Sequence, residues 1–176
     1  MRIRATIAVP AASAAVAGLL LTAPQSQAAT ADHARPVRCT EKSLTVRAKA
    51  ASADPTVLRV GVTHHGARAC VVDRVPTVTF GDLDGAALPT PEGGTGSFRL
   101  AAGQTAYADI RTIGDPADPE ARRVGTVTVA ASAAHSGRSF TAAQLGTGEH
   151  VLVWEPVTTL WQPTRAAADR AIGLSR

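Results

Sequence analysis

Methionine occurs once in these 176 residues, at the first position, cysteine only twice, and aromatic residues make up 3% of the chain. Each shortage excludes something. With Met1 as the sole thioether, copper handling through methionine ligands is ruled out. Cys39 and Cys70 form no Cys-x-x-Cys spacing, so nothing supports a thiolate metal site. Few aromatics and no basic run longer than Arg122-Arg123 argue against nucleic acid as a partner, which calls for a concentrated basic patch with stacking rings. No Gly-x-Ser-x-Gly elbow or Ser-x-x-Lys pair occurs, and Gly93-Gly94-Thr95-Gly96 lacks the Lys-Ser/Thr of a phosphate loop. From these absences the chain is expected to be no enzyme and to need no cofactor.

What is present begins with a three-part N-terminus. A basic Met1-Arg2-Ile3-Arg4 leads into an apolar, alanine-rich stretch from Ala5 to Ala23, followed by polar and small residues through Ala29. This is the layout of a secretory signal peptide, with cleavage expected after Ala28 or, nearly as well, after Ala29. The alternative, an uncleaved anchor, is disfavoured because Pro10 interrupts the stretch and a small-residue site ends it. The first cysteine, Cys39, lies too far on for lipid attachment, and Arg2 and Arg4 are not a twin-arginine pair. The organisation expected is therefore a signal peptide over 1–28, a flexible leader over 29–38, one β-domain over 39–163 and a tail over 164–176. The mature product should be secreted, with no membrane span.

Removal of Arg2 and Arg4 leaves 16 basic against 14 acidic residues, a mature charge of about +2 rather than the formal +4. An even cysteine count in an exported chain reads as one disulfide, Cys39–Cys70, with two free or metal-binding thiols as the alternative. A loop of that length stabilises by about 3 to 4 kcal/mol in the chain-entropy view.

Along the rest of the chain the dominant signal is two-residue alternation. Leu44, Val46 and Ala48 share one face while Thr45, Arg47 and Lys49 share the other. Leu58, Val60 and Val62 alternate with Arg59, Gly61 and Thr63 up to His64-His65-Gly66. Short strands are expected at Cys70-Val71-Val72, at Thr77 to Phe80 ahead of the Asp84-Gly85 turn, and around Tyr107 to Ile113. Thr126 to Val129 can pair with Ser139 to Ala143, and Val151 to Trp154 adds another strand. Seven or eight short strands with frequent turn signals predict an all-β fold, an antiparallel immunoglobulin-like β-sandwich. Alanine content alone does not decide whether Arg165 to Arg176 is helical.

Cys39, the run Cys70 to Phe80 with Pro76, the Asp-Gly turn that follows, and Leu100-Ala101-Ala102-Gly103-Gln104-Thr105-Ala106 together resemble a family of exported domains of unknown function common in actinobacteria. The resemblance covers about Cys39 to Pro156. It implies a secreted or surface-attached β-sandwich and implies no activity.

No candidate site stands out. His64 and His65, adjacent in a strand, point to opposite faces, and His33, His135 and His150 are scattered, so solvated surface histidines are expected rather than a metal site. Asp82 with Asp84, and Asp115, Asp118 and Glu120, fit turn and loop chemistry better than a calcium loop. Trp154 reads as packing and Trp161 as the better exposed contact. The function expected is a non-enzymatic exported module that binds a protein or cell-wall partner through the loops Leu88 to Ser97 and Gly114 to Arg123. The alternative is a secreted protease inhibitor presenting Ile113 to Arg123 as a decoy substrate.

Overall fold

The computed structural model describes residues 36–174. The signal peptide expected over 1–28 and most of the leader over 29–38 lie outside them. The two longest alternating segments form the first hairpin, β1 (Leu44–Ala51) with β2 (Asp54–His64), in antiparallel register from Leu44 opposite His64 to Ala50 opposite Leu58. There follow β3 (Cys70–Asp73), β4 (Thr77–Phe80), β5 (Leu88–Thr90), β6 (Ser97–Leu100), β7 (Thr105–Arg111), β8 (Arg122–Val124), β9 (Thr126–Ala130) and β10 (Arg138–Thr141). A short helix α1 (Ala142–Leu145), β11 (Val151–Val153), β12 (Val157–Thr159) and the helix α2 (Arg165–Ile172) complete the described chain.

The fold is all-β, as its alternation predicts. Its strands are more numerous than seven or eight because three-residue strands leave no readable period. Leu88–Thr90, inside a Pro/Gly-rich stretch, pairs in parallel with β12, and Arg122–Val124, at the end of an expected loop, pairs with β11.

One layer is a five-stranded sheet in the order β1-β2-β7-β12-β5, antiparallel apart from the β12–β5 contact. A three-stranded sheet, β10-β9-β4, and the ribbons β11–β8 and β3–β6 make up the rest. Leu58, Val60 and Val62 of β2 and Ala106, Ala108 and Ile110 of β7 are fully buried in one core with Val78, Phe80, Val127 and Val129. Burial of this apolar surface is the main term holding the layers together. Cys39 and Cys70 form a disulfide with Cα atoms 4.9 Å apart, buried at the core's margin. Backbone bonds from Cys39 N to Val71 O and from Val71 N to Val37 O, both 2.9 Å, align the segment ahead of β1 with β3.

Two expectations are corrected here. Trp161 is completely buried rather than an exposed contact, its indole N–H donating to Ala131 O at 3.4 Å. Gln162 exchanges backbone bonds with Tyr107, whose ring faces outward, so the residue before it turns into the core. His64 is not a solvated surface histidine. It is buried with Nδ1 3.1 Å from Ala101 O, at the end of β2 where the alternation sends it inward.

Residues 164–174 are helical where they form α2. Thr164 caps it, its hydroxyl accepting from Ala167 N at 3.2 Å, and Gly173 closes it in the left-handed region at φ 82°. An alanine-rich octapeptide is not a stable helix alone. What holds it is the burial of Ala168 and of Ile172, the latter against Ala51 and Val57 on the outer side of the five-stranded sheet. Among the described residues no helix is long and apolar enough to cross a membrane.

Candidate functional site

The outer face of β1, β2 and β7 carries the polar half of each alternating strand, and the register sets these residues in rows. Thr45, Thr63 and Thr105 form one row, Arg47, Gly61 and Tyr107 the next, and Lys49, Arg59 and Asp109 the third. The first row is bound together: Thr63 and Thr105 hydroxyls lie 2.8 Å apart, and Thr45 Oγ1 lies 2.9 Å from His65 Nε2. Gly61 leaves the middle row without a side chain, and the face is a trough there.

This trough is part of an open groove of about 1100 Å³. Arg138, Phe140 and Gln144 flank it beyond the β1 edge, and Arg165 of α2 flanks it on the β7 side. Five permanent cations, Arg47, Lys49, Arg59, Arg138 and Arg165, line it, and none of its lining residues is acidic. Their environments differ. Arg165 lies 4.9 Å over the Tyr107 ring, and Arg138 lies 5.0 Å over Phe140 while donating to Val46 O at 3.3 Å. Arg59 makes a bidentate pair with Asp169 of α2, both bonds 3.0 Å. Arg47 and Lys49 are exposed, and among the described residues neither forms an ion pair.

Beneath the α2 end of the groove lies a buried acid. Asp109 is fully buried, and neither of its carboxylate oxygens meets a hydrogen-bond partner among the described residues. Burial pushes this carboxyl up to about 7, and the adjoining Asp169 carboxylate reinforces the rise against Arg165 and Arg59. At the far end of α2, Arg111 pairs with Asp54 at 3.0 Å and donates to Ile172 O at 3.0 Å. Hydrogen bonds from Thr56 and from Arg111 hold the Asp54 carboxyl below its ordinary value against a partial burial penalty. Asp73 is likewise lowered: burial raises it, but Arg38 and the Ala133 N–H outweigh that.

The residues singled out from the sequence do not converge. Cys39 and Cys70 are joined to each other. His135 contacts Cys39 O at 3.1 Å, His150 immediately precedes β11, and His33 falls outside the described residues. Among the described residues no three His, Cys, Asp or Glu side chains come together as metal ligands would. Asp115 and Asp118 accept from Ala117 N and Glu120 N at 2.9 and 2.8 Å, so they are engaged in shaping their own loop. Sequence reasoning placed Thr45, Arg47 and Lys49 on one face but had no means of aligning Gly61 and Tyr107 beside them. Asp109 was missed altogether; a lone acid between Ala108 and Ile110 in an otherwise apolar strand was the available signal.

A family model described as "Domain of unknown function (DUF4232)" matches residues 39–162, from the first half-cystine to just past Trp161. No curated protein and no solved structure matches the chain.

Proposed function

The chain belongs to the family of that domain of unknown function, and from this premise we propose that it is an exported, non-enzymatic binding module that holds a cell-envelope partner on the outer face of β1, β2 and β7. The observation that carries this reading is the open groove lined by five cations and no carboxylate. Charge of one sign gathered in a concave face is a recognition surface, because the fold itself gains nothing from like charges side by side.

Export is supported by the signal-like N-terminus and by the disulfide, which persists in oxidising compartments. A non-enzymatic role is supported by the groove's chemistry. Among the described residues its one hydroxyl–imidazole pair, Thr45 with His65, has no carboxylate bonded to the other ring nitrogen to orient it. The domain is read as an immunoglobulin-like sandwich, with the five-stranded sheet as one layer. The sheet face is preferred over the loops 88–97 and 114–123 because it offers a concave surface with uncommitted donors.

The protease-inhibitor reading has less support. Arg122 and Arg123, at the end of the decoy loop Ile113 to Arg123, lie in β8 opposite Val153 and Leu152, so this part of the backbone a protease would have to engage is already in a ladder.

The test is retention of the mature protein on sedimented envelopes of the producing cell. Wild-type protein is expected to co-sediment, and the double variant Arg47→Glu/Lys49→Glu to stay in solution. Equal retention of both would remove the binding role from this face.

A further inference from the structure

We propose that the occupant of this groove is an acidic polysaccharide, a hydroxylated chain bearing an anionic group on successive sugars. The inference rests on the reading of the face as a binding surface and adds the chemistry of its ligand.

The sign of the ligand follows from the third row. Lys49 stands directly opposite Arg59 across the β1–β2 ladder, a like-charge cross-strand placement that disfavours pairing. Asp169 neutralises Arg59 from above, yet nothing among the described residues neutralises Lys49 or the exposed Arg47 two positions away. An acidic side chain at position 49 would pair with Arg59 and stabilise the hairpin, and the chain has a lysine there instead. An anion supplied from outside restores the balance.

That the anion is a chain follows from the groove's shape. Its cations are distributed along an open trough, from Arg138 beyond the β1 edge through Arg47 and Lys49 to Arg165 beside β7. A single small anion would reach only part of this set and would stay hydrated. A chain engages the cations together, each contact raising the effective concentration for the next. Gly61 fits the same purpose. Its backbone is not in the left-handed region, and a Cβ there would meet Thr105 Cγ2 at 3.6 Å and Tyr107 Cδ1 at 3.9 Å, ordinary contacts. The fold has room for a Cβ at 61, so the bare glycine is not forced by packing, and it keeps the floor of the trough open.

That the chain is a carbohydrate follows from what lines the groove besides charge. The row Thr45, Thr63 and Thr105 is bonded within itself and to His65, and each hydroxyl, able both to donate and to accept, keeps bonding capacity beyond that one contact, matching sugar hydroxyls. Bases would need a ring to stack on, but Tyr107 is occupied by Arg165 and Phe140 is buried beneath Arg138. An acidic peptide would be held at an apolar anchor. The exposed large hydrophobics among the described residues, Val37 and Leu88, lie outside the groove.

The experiment is calorimetric titration of the mature protein at physiological ionic strength with polygalacturonate, neutral dextran, polyglutamate and oligothymidylate. Polygalacturonate is expected to bind, dextran not, and polyglutamate and oligothymidylate more weakly. The Arg47→Glu/Lys49→Glu variant should weaken polygalacturonate binding by about tenfold or more, since two of the five lining charges reverse. Gly61→Leu, which fills the trough without changing charge, should weaken it too while thermal unfolding shows the fold intact. The inference is overturned if polyglutamate or oligothymidylate binds as tightly, if dextran binds equally, or if Gly61→Leu binds like wild type. If polygalacturonate does not bind while envelope retention still depends on Arg47 and Lys49, the ligand class is wrong and the binding face stands. If that retention is indifferent to both residues, the face reading itself has failed.

Discussion

Arg59 of β2 and Asp169 of α2 meet through two parallel hydrogen bonds of 3.0 Å, and this pair joins the C-terminal helix to the sheet at the edge of the basic groove. It also weakens the repulsion that Arg59 exerts on Lys49 opposite it, while leaving the Lys49 charge itself without a counterion among the described residues. One interaction thus serves the docking of α2 and the electrostatics of the groove.

Asp169→Asn is therefore expected to destabilise the fold by about 1 kcal/mol, a modest figure because both partners are partly solvated. Adding Lys49→Glu should recover most of the loss by giving Arg59 a cross-strand acid. A double-mutant cycle by urea unfolding measures this. Strictly additive effects would mean that Lys49 and Asp169 do not share Arg59.

Asp109 gives the protein an unusual pH profile. With its carboxyl raised from 3.8 to about 7, the folded state keeps a proton that the unfolded chain has lost, so stability falls as pH rises between those values. Asp54 and Asp73 act oppositely. Their carboxyls are held below 3.8, so the stability they contribute is present above that pH and lost as pH falls below it. Stability should therefore pass through a maximum in the acid range, where these two opposing trends meet. Asp109→Asn should flatten the decline from pH 4 to 7 and be the more stable protein at pH 8, by at most about 4 kcal/mol for a shift of this size. Parallel profiles for the two proteins would refute the assignment.

Cys39→Ala/Cys70→Ala should lower stability by about 3 kcal/mol, because the link closes a 31-position separation in the unfolded chain. The loss should appear as a lower denaturant midpoint, with fraying of the segment ahead of β1, read by hydrogen exchange at the amides of Cys39 and Val71. An unchanged midpoint would mean that the core alone holds this segment.

How much of this was legible follows from length and period. β1, β2, β7 and β9 each run five residues or more, long enough for alternation to show, whereas β5 and β8 are three-residue strands recognisable only through their partners. The disulfide followed from cysteine parity. Trp161 was misplaced because a side chain's face depends on what its strand pairs with, and that pairing runs from Gln162 back to Tyr107. The groove was hidden for the same reason: Arg47, Gly61 and Tyr107 share a row only once three strands distant in sequence are in register.

The C-terminal helix is the clearest case of tertiary structure deciding a segment that local sequence left open, and its cap offers the final test. Among the described residues, Thr164 supplies the one side-chain bond that satisfies an N-terminal amide of α2. Thr164→Ala should cost about 1 kcal/mol, felt first by the helix rather than by the core, since α2 is held to the sheet by few buried groups. Local opening lifts Ala168 and Ile172 off the sheet, separates Asp169 from Arg59, and carries Arg165 away from Tyr107. Hydrogen exchange should therefore quicken at the amides of 167–172 while those of Val60 and Ala108 stay protected. If exchange quickened equally at all of these positions, α2 would be an inseparable part of the cooperative core, and the groove would have a rigid wall on its β7 side in place of a movable one.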